Sequence, residues 1–185
     1  GTSGVRALVA DLNTEAVFAY VYAFMQQMRV VHAVRDGAAV AVGMDLRPSS
    51  PAIAATVCGA LQVLGYRAEF LGALPTPALA LRCLNGGMPG VMVTGSHIPF
   101  DRNGIKFYRA DGEIDKADEQ AILDTEVAVP DALSPSPLSA VDTAALDAYV
   151  ARYTDFFGIG ALAGTRVALY EHSSVARDVL RTVFE

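Results

Sequence analysis

The sequence alternates strand-like and helix-like segments, and this alternation limits the possible folds more than any other feature. Four short runs of apolar and β-branched residues read as strands: 39–44, 67–71, 90–94 and 105–108. A helix over 51–64 that ends at Gly65 and a short helix through Leu84 are predicted between them. Strands that alternate with helices favour a layered α/β domain.

A long helix is predicted ahead of the first strand, with Asn13 or Thr14 as its cap. Its apolar residues recur at helical spacing: Val17, Tyr20, Val21, Phe24 and Met28. The helix after the first strand has a similar start, because Ser49 and Ser50 offer a cap and Pro51 suits a first turn. We therefore expect an α/β fold, a layered mixed sheet with flanking helices, followed by a partial second α/β domain.

A connector is predicted where the composition shifts to proline, serine and alanine, over 129–139. We assign 1–130 to an N-terminal domain, 131–141 to the connector, and 142–185 to a linking helix and the start of a second domain. A strand over 166–170 and a helix over 173–184 are expected in that last part. A lone strand and helix leave an uncovered sheet edge, so we expect the native protein to continue past residue 185.

Charge and hydropathy limit the partners and the location. The formal net charge is −6, which argues against nucleic acid or an anionic membrane surface as a partner. The sequence has no apolar run of the roughly 18 residues that a membrane helix needs, and no signal-peptide pattern at its start. We therefore expect a cytoplasmic protein of unknown oligomeric state. Cys58 and Cys83 lie in apolar stretches without metal-ligand spacing, and we assign them no chemistry.

The polar loop after the strand at 90–94 is the most informative part chemically. Loops beyond strand carboxyl ends form the ligand crevice of α/β sheets, and Gly95 lets the backbone beside Ser96 approach a ligand closely. His97 and Lys106 would supply proton transfer and positive charge to a serine nucleophile. Each residue also has a structural alternative: a turn serine, a loop hydrogen-bond donor and an exposed strand lysine.

The loop sequence resembles the phosphoserine loop of the phosphohexomutase superfamily, commonly T-A-S-H-N-P followed by N-G-x-K. This chain has T-G-S-H-I-P at 94–99 and N-G-I-K-F at 103–107. Three further segments match the family in the same order: G-T-S-G-V-R at 1–6, G-M-D-L-R-P-S-S at 43–50, and 72–77. The resemblance covers 1–112, and the S-H-I-P-x-D-R-N-G form is similar to a phosphomannomutase branch.

The resemblance implies a phosphosugar mutase that moves phosphate between C1 and C6 of a hexose phosphate. Ser96 would carry the phosphoryl group, His97 would assist the reacting hydroxyl, Lys106 would act as general base or acid, and Arg6 would face substrate or phosphate. Mg²⁺ would contact the Ser96 phosphate, and a hexose 1,6-bisphosphate would act as intermediate and activator. The family's metal-binding D-G-D-x-D-R loop is absent from this chain, and D-G-E at 111–113 is not that loop. The fragment alone is therefore expected to be inactive.

Two positions depart from the family pattern, because Gly95 replaces an alanine and Ile98 replaces an asparagine. We interpret both as marks of a subfamily, since serine, histidine and lysine are retained. Two other functions stay open at this point. One is a non-catalytic sugar-phosphate binding module, and the other is a serine hydrolase or phosphatase that uses Ser96 and His97. Asp45 and Arg47 are interpreted as structural residues that pair with each other or cap a helix.

Overall fold

Six strands form one mixed sheet in the computed structural model, which describes residues 4–185. The strands are β1 Gly4–Leu8, β2 Ala39–Met44, β3 Arg67–Ala73, β4 Gly90–Val93, β5 Arg102–Arg109 and β6 Gly112–Glu113. Their order is β1-β5-β4-β2-β3, with β6 paired to β5. β2 is parallel to β3 and β4, whereas β5 is antiparallel to β4 and β1.

Helices cover both faces of this sheet. They are α1 Thr14–His32, α2 Ser50–Val63, α3 Thr76–Gly86, α4 Lys116–Asp124, α5 Ala144–Phe157 and α6 Arg177–Phe184, with a short 3₁₀ turn over Val9–Asp11. α1 and α2 pack on one face, whereas α3 packs on the other and is contacted by α5. The expected α/β fold with a mixed sheet and flanking helices is confirmed. Among residues 4–185, no helix has the length and apolar character needed to cross a membrane.

The two central strands are buried on both sides, which explains their nearly continuous apolar sequences. Val40 and Val42 of β2 pack towards α1 and α2, whereas Ala41 lies in the cluster against α3. All four residues of β4 are buried. The carboxyl ends of β2 and β4 are therefore held rigidly, side by side, and the candidate loop begins at the end of β4.

The predicted start of the first long helix is confirmed. The Asn13 side chain accepts a hydrogen bond from the Ala16 amide at 2.9 Å, so it caps α1. The second helix begins at Ser50 with Pro51 in its first turn, as predicted, but the serine cap is not formed, because the Ser49 side chain makes no capping hydrogen bond.

The structure differs from the sequence-based expectation in several elements. β1, β6 and α4 were not predicted, and β5 begins at Arg102 rather than at 105, so the polar loop is shorter. The strand predicted over 166–170 is wrong, because those residues form no strand and the helix after them begins only at Arg177. No strand among residues 4–185 lies beside this segment, and an extended segment without a neighbouring strand is not stable as a β-strand.

The connector lies against the edge of the sheet domain. The Ser136 amide donates to the Ala55 carbonyl at 3.0 Å, and just after the connector the Asp142 amide donates to the Phe70 carbonyl of β3 at 2.9 Å. Further along, Ala145 of α5 is buried in the cluster around α3. The connector and α5 are therefore packed on the sheet domain.

Both cysteines are free thiols inside the core. Burial raises the pKa of Cys58 to about 11 and is the main cause that raises the pKa of Cys83 to about 12. Both thiols therefore stay protonated near neutral pH, which makes them poor nucleophiles.

One arginine joins three elements at the far end of β5. Arg109 donates through Nε to Asp111 at 3.0 Å and through Nη1 to Asp115 and Asp118 at 2.9 Å each. Asp115 and Asp118 form the capping box of α4, and Gln27 of α1 donates to Asp118 at 3.2 Å. Hydrogen bonds from the Asp118 amide and from Arg109 lower the pKa of Asp115.

Removing this arginine should destabilise the fold. Arg109→Ala leaves the buried Asp118 carboxylate without its guanidinium, and we expect a loss of about 2 kcal/mol of unfolding free energy. Asp111→Ala is the matched control, because it removes only the exposed partner and should cost under about 0.5 kcal/mol. Urea unfolding compares the two variants. Equal losses of unfolding free energy in the two variants would show that Arg109 stabilises the fold only through its exposed ion pair with Asp111.

Candidate active site

The candidate site lies where the carboxyl ends of β2 and β4 meet the start of β5. The loop over 94–101 leaves β4 and returns into β5. The Thr94 amide donates to the Gly104 carbonyl at 2.9 Å, which continues the pairing of β4 with β5 up to the loop. The loop is thus anchored on two neighbouring strands.

The Asp45 carboxylate, just beyond β2, organises the base of this loop. Its Oδ2 accepts hydrogen bonds from the Thr94 hydroxyl and the Gly95 amide, each at 3.0 Å. Its Oδ1 accepts from the Arg47 amide at 3.0 Å and from the Ser50 hydroxyl. Because four donors surround it, this carboxylate ties the loop over 94–101 to the start of α2.

Asn103 extends the same network from β5. Its side chain is fully buried and donates to the Ser49 hydroxyl at 2.9 Å and to the Ser50 hydroxyl at 3.0 Å. Its Oδ1 accepts from the Gly104 amide at 2.8 Å. The strand that leaves the loop is therefore bonded to the same helix start as Asp45.

The Arg47 guanidinium holds the loop through its main-chain carbonyls. Nη1 donates to Pro99 at 2.8 Å and to Arg102 at 3.0 Å. Nη2 donates to Ile98 at 2.6 Å and to Ser96 at 3.2 Å. The arginine side chain is only 16% exposed, and its Nε lies 3.5 Å from the Asp45 carboxylate. The structural interpretation of Asp45 and Arg47 is therefore confirmed, since they pair with each other.

Ser96 lies at the exposed tip of the loop over 94–101. Its backbone has a φ of 50°, a left-handed conformation that is costly for a residue with a side chain. Its amide donates to the Thr94 hydroxyl at 3.0 Å. Its own Oγ lies 3.2 Å from Nδ1 of the exposed His97, within reach of proton exchange. The serine hydroxyl therefore faces solvent with an imidazole beside it.

Lys106 lies on β5, two residues beyond Gly104. Its ammonium donates to the Glu113 carboxylate at 2.8 Å and lies 5.4 Å from the centre of the Tyr108 ring. The Tyr108 hydroxyl also donates to Glu113, at 3.1 Å. Burial, followed by the negative charge of Glu113, raises the pKa of Tyr108, so its hydroxyl stays a donor. Lys106 thus sits in a polar cluster on the sheet rather than in contact with the loop tip.

Arg6 lies on β1, the strand that pairs with β5. It pairs with Gly104 in the antiparallel register, and its side chain is exposed. A Cβ atom at Gly104 would lie 2.7 Å from the Val5 carbonyl and 3.1 Å from Cγ of Arg6. Glycine is therefore needed for β1 to approach β5 this closely. Of the opening motif, residues 1–3 lie outside the described part of the chain.

Sequence reasoning singled out the loop over 94–101 but not the residues that support it. The structure brings Ser96 and His97 into contact, and places Arg6 on the strand beside the loop's return. The scaffold roles of Asn103 and Thr94 were missed. The asparagine was visible within the N-G-I-K motif, but nothing local indicated that it bonds to serines more than fifty residues away.

The donor groups of this part of the chain do not form a complete metal site. Within residues 4–185, no group of three or more histidine, cysteine or acidic residues is arranged to hold a metal ion. The Asp45 carboxylate at the base of the loop already accepts four hydrogen bonds and is 14% exposed. Within the loop over 94–101, the exposed oxygen groups are the Ser96 hydroxyl and the Asp101 carboxylate.

A family model matches most of the chain. The model describes the phosphoglucomutase/phosphomannomutase α/β/α domain I, and it matches residues 1–127. The match includes β1, the loop at 94–101 and the return strand β5.

Named relatives and a solved structure agree with this match. A phosphomannomutase from Sinorhizobium fredii (strain NBRC 101917 / NGR234) is 45% identical, over 100% of this chain and 40% of the relative. One from Salmonella muenchen is 41% identical, over 100% of this chain and 38% of the relative. A crystal structure from Thermus thermophilus with a provisional phosphomannomutase name has a TM-score of 0.77 and 26% identity, over 100% of this chain and 43% of that one. The chain therefore spans about two fifths of the length of these relatives.

Proposed function

Because the chain belongs to the phosphoglucomutase/phosphomannomutase family, we propose that it is the phosphoryl-carrying part of a longer phosphosugar mutase. The observation that carries the proposal is the exposed Ser96 hydroxyl, held on a rigid loop at 3.2 Å from His97. The substrate class is a hexose phosphate, and the two phosphomannomutase relatives favour a mannose phosphate.

In the proposed reaction, the phosphate on Ser96 passes to a free hydroxyl of a bound hexose phosphate. The bond between phosphorus and Ser96 Oγ breaks and a new bond to the sugar oxygen forms, while the sugar hydroxyl gives up its proton and Oγ takes one. The hexose 1,6-bisphosphate then presents its other phosphate to the same Oγ. That phosphate returns to Ser96, Oγ loses its proton, and the product sugar oxygen gains one.

His97 is the proposed proton partner of the serine, because its Nδ1 lies 3.2 Å from the oxygen that gains and loses the proton. Lys106 is proposed as the general acid or base for the sugar hydroxyl. Arg6 is proposed to bind substrate or phosphate, since its exposed cation lies on the strand beside the loop. A scaffold that positions these groups is the main requirement of phosphoryl transfer.

Mg²⁺ would neutralise negative charge on the transferred group when bound. From this chain the phosphate on Ser96 would contact it, and the remaining ligands would come from the rest of the longer protein. We also propose a cytoplasmic location and the division into 1–130, 131–141 and 142–185. No carboxylate among residues 4–185 bonds to His97, which weighs against a serine hydrolase.

Turnover of the full-length protein tests the proposal. With Mg²⁺ and a hexose 1,6-bisphosphate, we expect ³¹P NMR to show interconversion of mannose 1-phosphate and mannose 6-phosphate. Glucose and glucosamine phosphates, assayed in parallel, give the sugar preference. Protein that binds all three sugar phosphates and converts none would support the alternative of a binding module.

A further inference from the structure

We propose that Arg47 is a positioning residue for the Ser96 loop, and that glycine at 95 is required because the arginine occupies the space beside it. The loop would then depend on its main-chain carbonyls and not on the side chain at 98. The structural part of this inference stands on geometry alone. Its effect on catalysis rests on the proposed mutase function.

The loop has little internal bonding of its own. Two turns stabilise it, from the Ile98 amide to the Gly95 carbonyl at 3.0 Å and from the Arg102 amide to the Pro99 carbonyl at 3.1 Å. Arg47 adds four charge-assisted hydrogen bonds to carbonyls spread along the same segment. Charge-assisted hydrogen bonds are roughly twice as strong as neutral ones. Arg47 therefore contributes more of them to the loop than Asp45, which accepts from the Thr94 hydroxyl and the Gly95 amide.

Gly95 and Arg47 are sterically matched. A Cβ atom at position 95 would overlap Nε and Cζ of Arg47. The guanidinium is held by Asp45 on one side and by the loop carbonyls on the other, so it has no room to shift without losing those bonds. An alanine at 95 would therefore force the arginine out of the loop.

The same contacts explain why isoleucine is acceptable at position 98. Ile98 takes part in the loop through its backbone, because its amide bonds to Gly95 and its carbonyl accepts from Arg47. Its half-buried side chain is apolar and contributes no hydrogen bond to the loop. A polar side chain at 98 is thus unnecessary when Arg47 holds the main chain.

Arg47 also helps to keep Ser96 in its strained conformation. The carbonyl of Ser96 accepts from Arg47, while its amide is held by Thr94, so both sides of the left-handed residue are fixed. Releasing one side would let the backbone relax and turn the Oγ atom away from His97. The position of the Ser96 Oγ atom therefore depends on an arginine that contacts only the backbone of this residue.

Hydrogen–deuterium exchange of the loop amides tests the structural part. In the full-length protein, Arg47→Ala should speed exchange across 95–102 by about tenfold or more. Arg47→Lys keeps the charge but loses the planar fork, and should show a smaller increase in the same direction. Arg102→Ala removes an equal charge from the first residue of β5, next to the loop, while keeping the carbonyl that Arg47 contacts, so loop exchange should stay within about twofold of wild type.

A double-mutant cycle gives the decisive comparison. Gly95→Ala should speed loop exchange as strongly as Arg47→Ala, but should add less than about twofold when Arg47 is already alanine. Ile98→Asn should change nothing. Normal exchange in Arg47→Ala, or an equal effect of Gly95→Ala with and without the arginine, would overturn the inference.

Catalysis gives the second readout. Arg47→Ala should lower kcat by about 30-fold and leave KM within about threefold, because it misplaces the nucleophile rather than the substrate. If wild-type protein never carries phosphate on Ser96 while the exchange cycle behaves as expected, the proposed function fails and the positioning role stands. If turnover occurs but the double-mutant cycle shows no coupling, the proposed function stands and the positioning role of Arg47 fails.

Discussion

Replacing Ser96 with alanine is expected to lower kcat of the full-length protein by at least about 10⁴-fold, because the group that carries phosphate is removed. Binding of the hexose phosphate should be little changed, since the serine contributes one exposed hydroxyl. A ³¹P turnover assay with the bisphosphate present measures the loss.

A second substitution separates the hydroxyl from the backbone strain. Ser96 has a φ of 50°, which alanine tolerates poorly and glycine tolerates well. Ser96→Gly should therefore be as inactive as Ser96→Ala although its backbone is unstrained. Activity that returns in the glycine variant would mean that the serine oxygen is not the phosphate carrier.

Replacing Asp45 with alanine is expected to damage both stability and turnover. Four donors lose their acceptor at once: the Thr94 and Ser50 hydroxyls and the amides of Gly95 and Arg47. The Arg47 cation also loses its carboxylate. We expect a loss of about 3 kcal/mol of unfolding free energy, because most of these groups are shielded from water. We expect kcat to fall by about 10²-fold, because the whole loop loses its base.

The matched control is Asp101→Ala, in the same loop. Its backbone carbonyl, which accepts from the Val9 amide at 2.9 Å, is retained, and its exposed side chain has no role in the network. It should cost under about 0.5 kcal/mol and leave kcat near wild type. Chemical denaturation and the turnover assay check both variants. Equal behaviour of the two would show that the Asp45 network is not what supports the site.

The central strands were predictable because burial on both faces leaves a continuous apolar run, as in β2 and β4. β1 was not, because Gly4–Leu8 is half-exposed and its partner β5 is about a hundred residues away. α4 was missed although Asp115 and Asp118 form a capping box, since the usual signature has a serine or threonine followed by a glutamate. The wrong strand at 166–170 had suitable residues but no partner strand.

The site residues likewise fall into those that the sequence indicated and those that it did not. Ser96, His97 and Lys106 were identified because they lie in one continuous motif that resembles a known family. The role of Arg47 was not identified. Local sequence does not reveal that its guanidinium donates to main-chain carbonyls about fifty residues later in the chain. Predicting it requires the parallel pairing of β2 with β4, which brings the two segments together.

The most direct test of the central claim is intact-mass measurement with peptide mapping, on protein purified from cells and again after treatment with glucose 1,6-bisphosphate. The account predicts one added phosphate that maps to Ser96, and no added phosphate on Ser96→Ala. Full-length protein that carries no phosphate under either condition, or carries it on another residue, would contradict the proposal that Ser96 is the phosphoryl carrier.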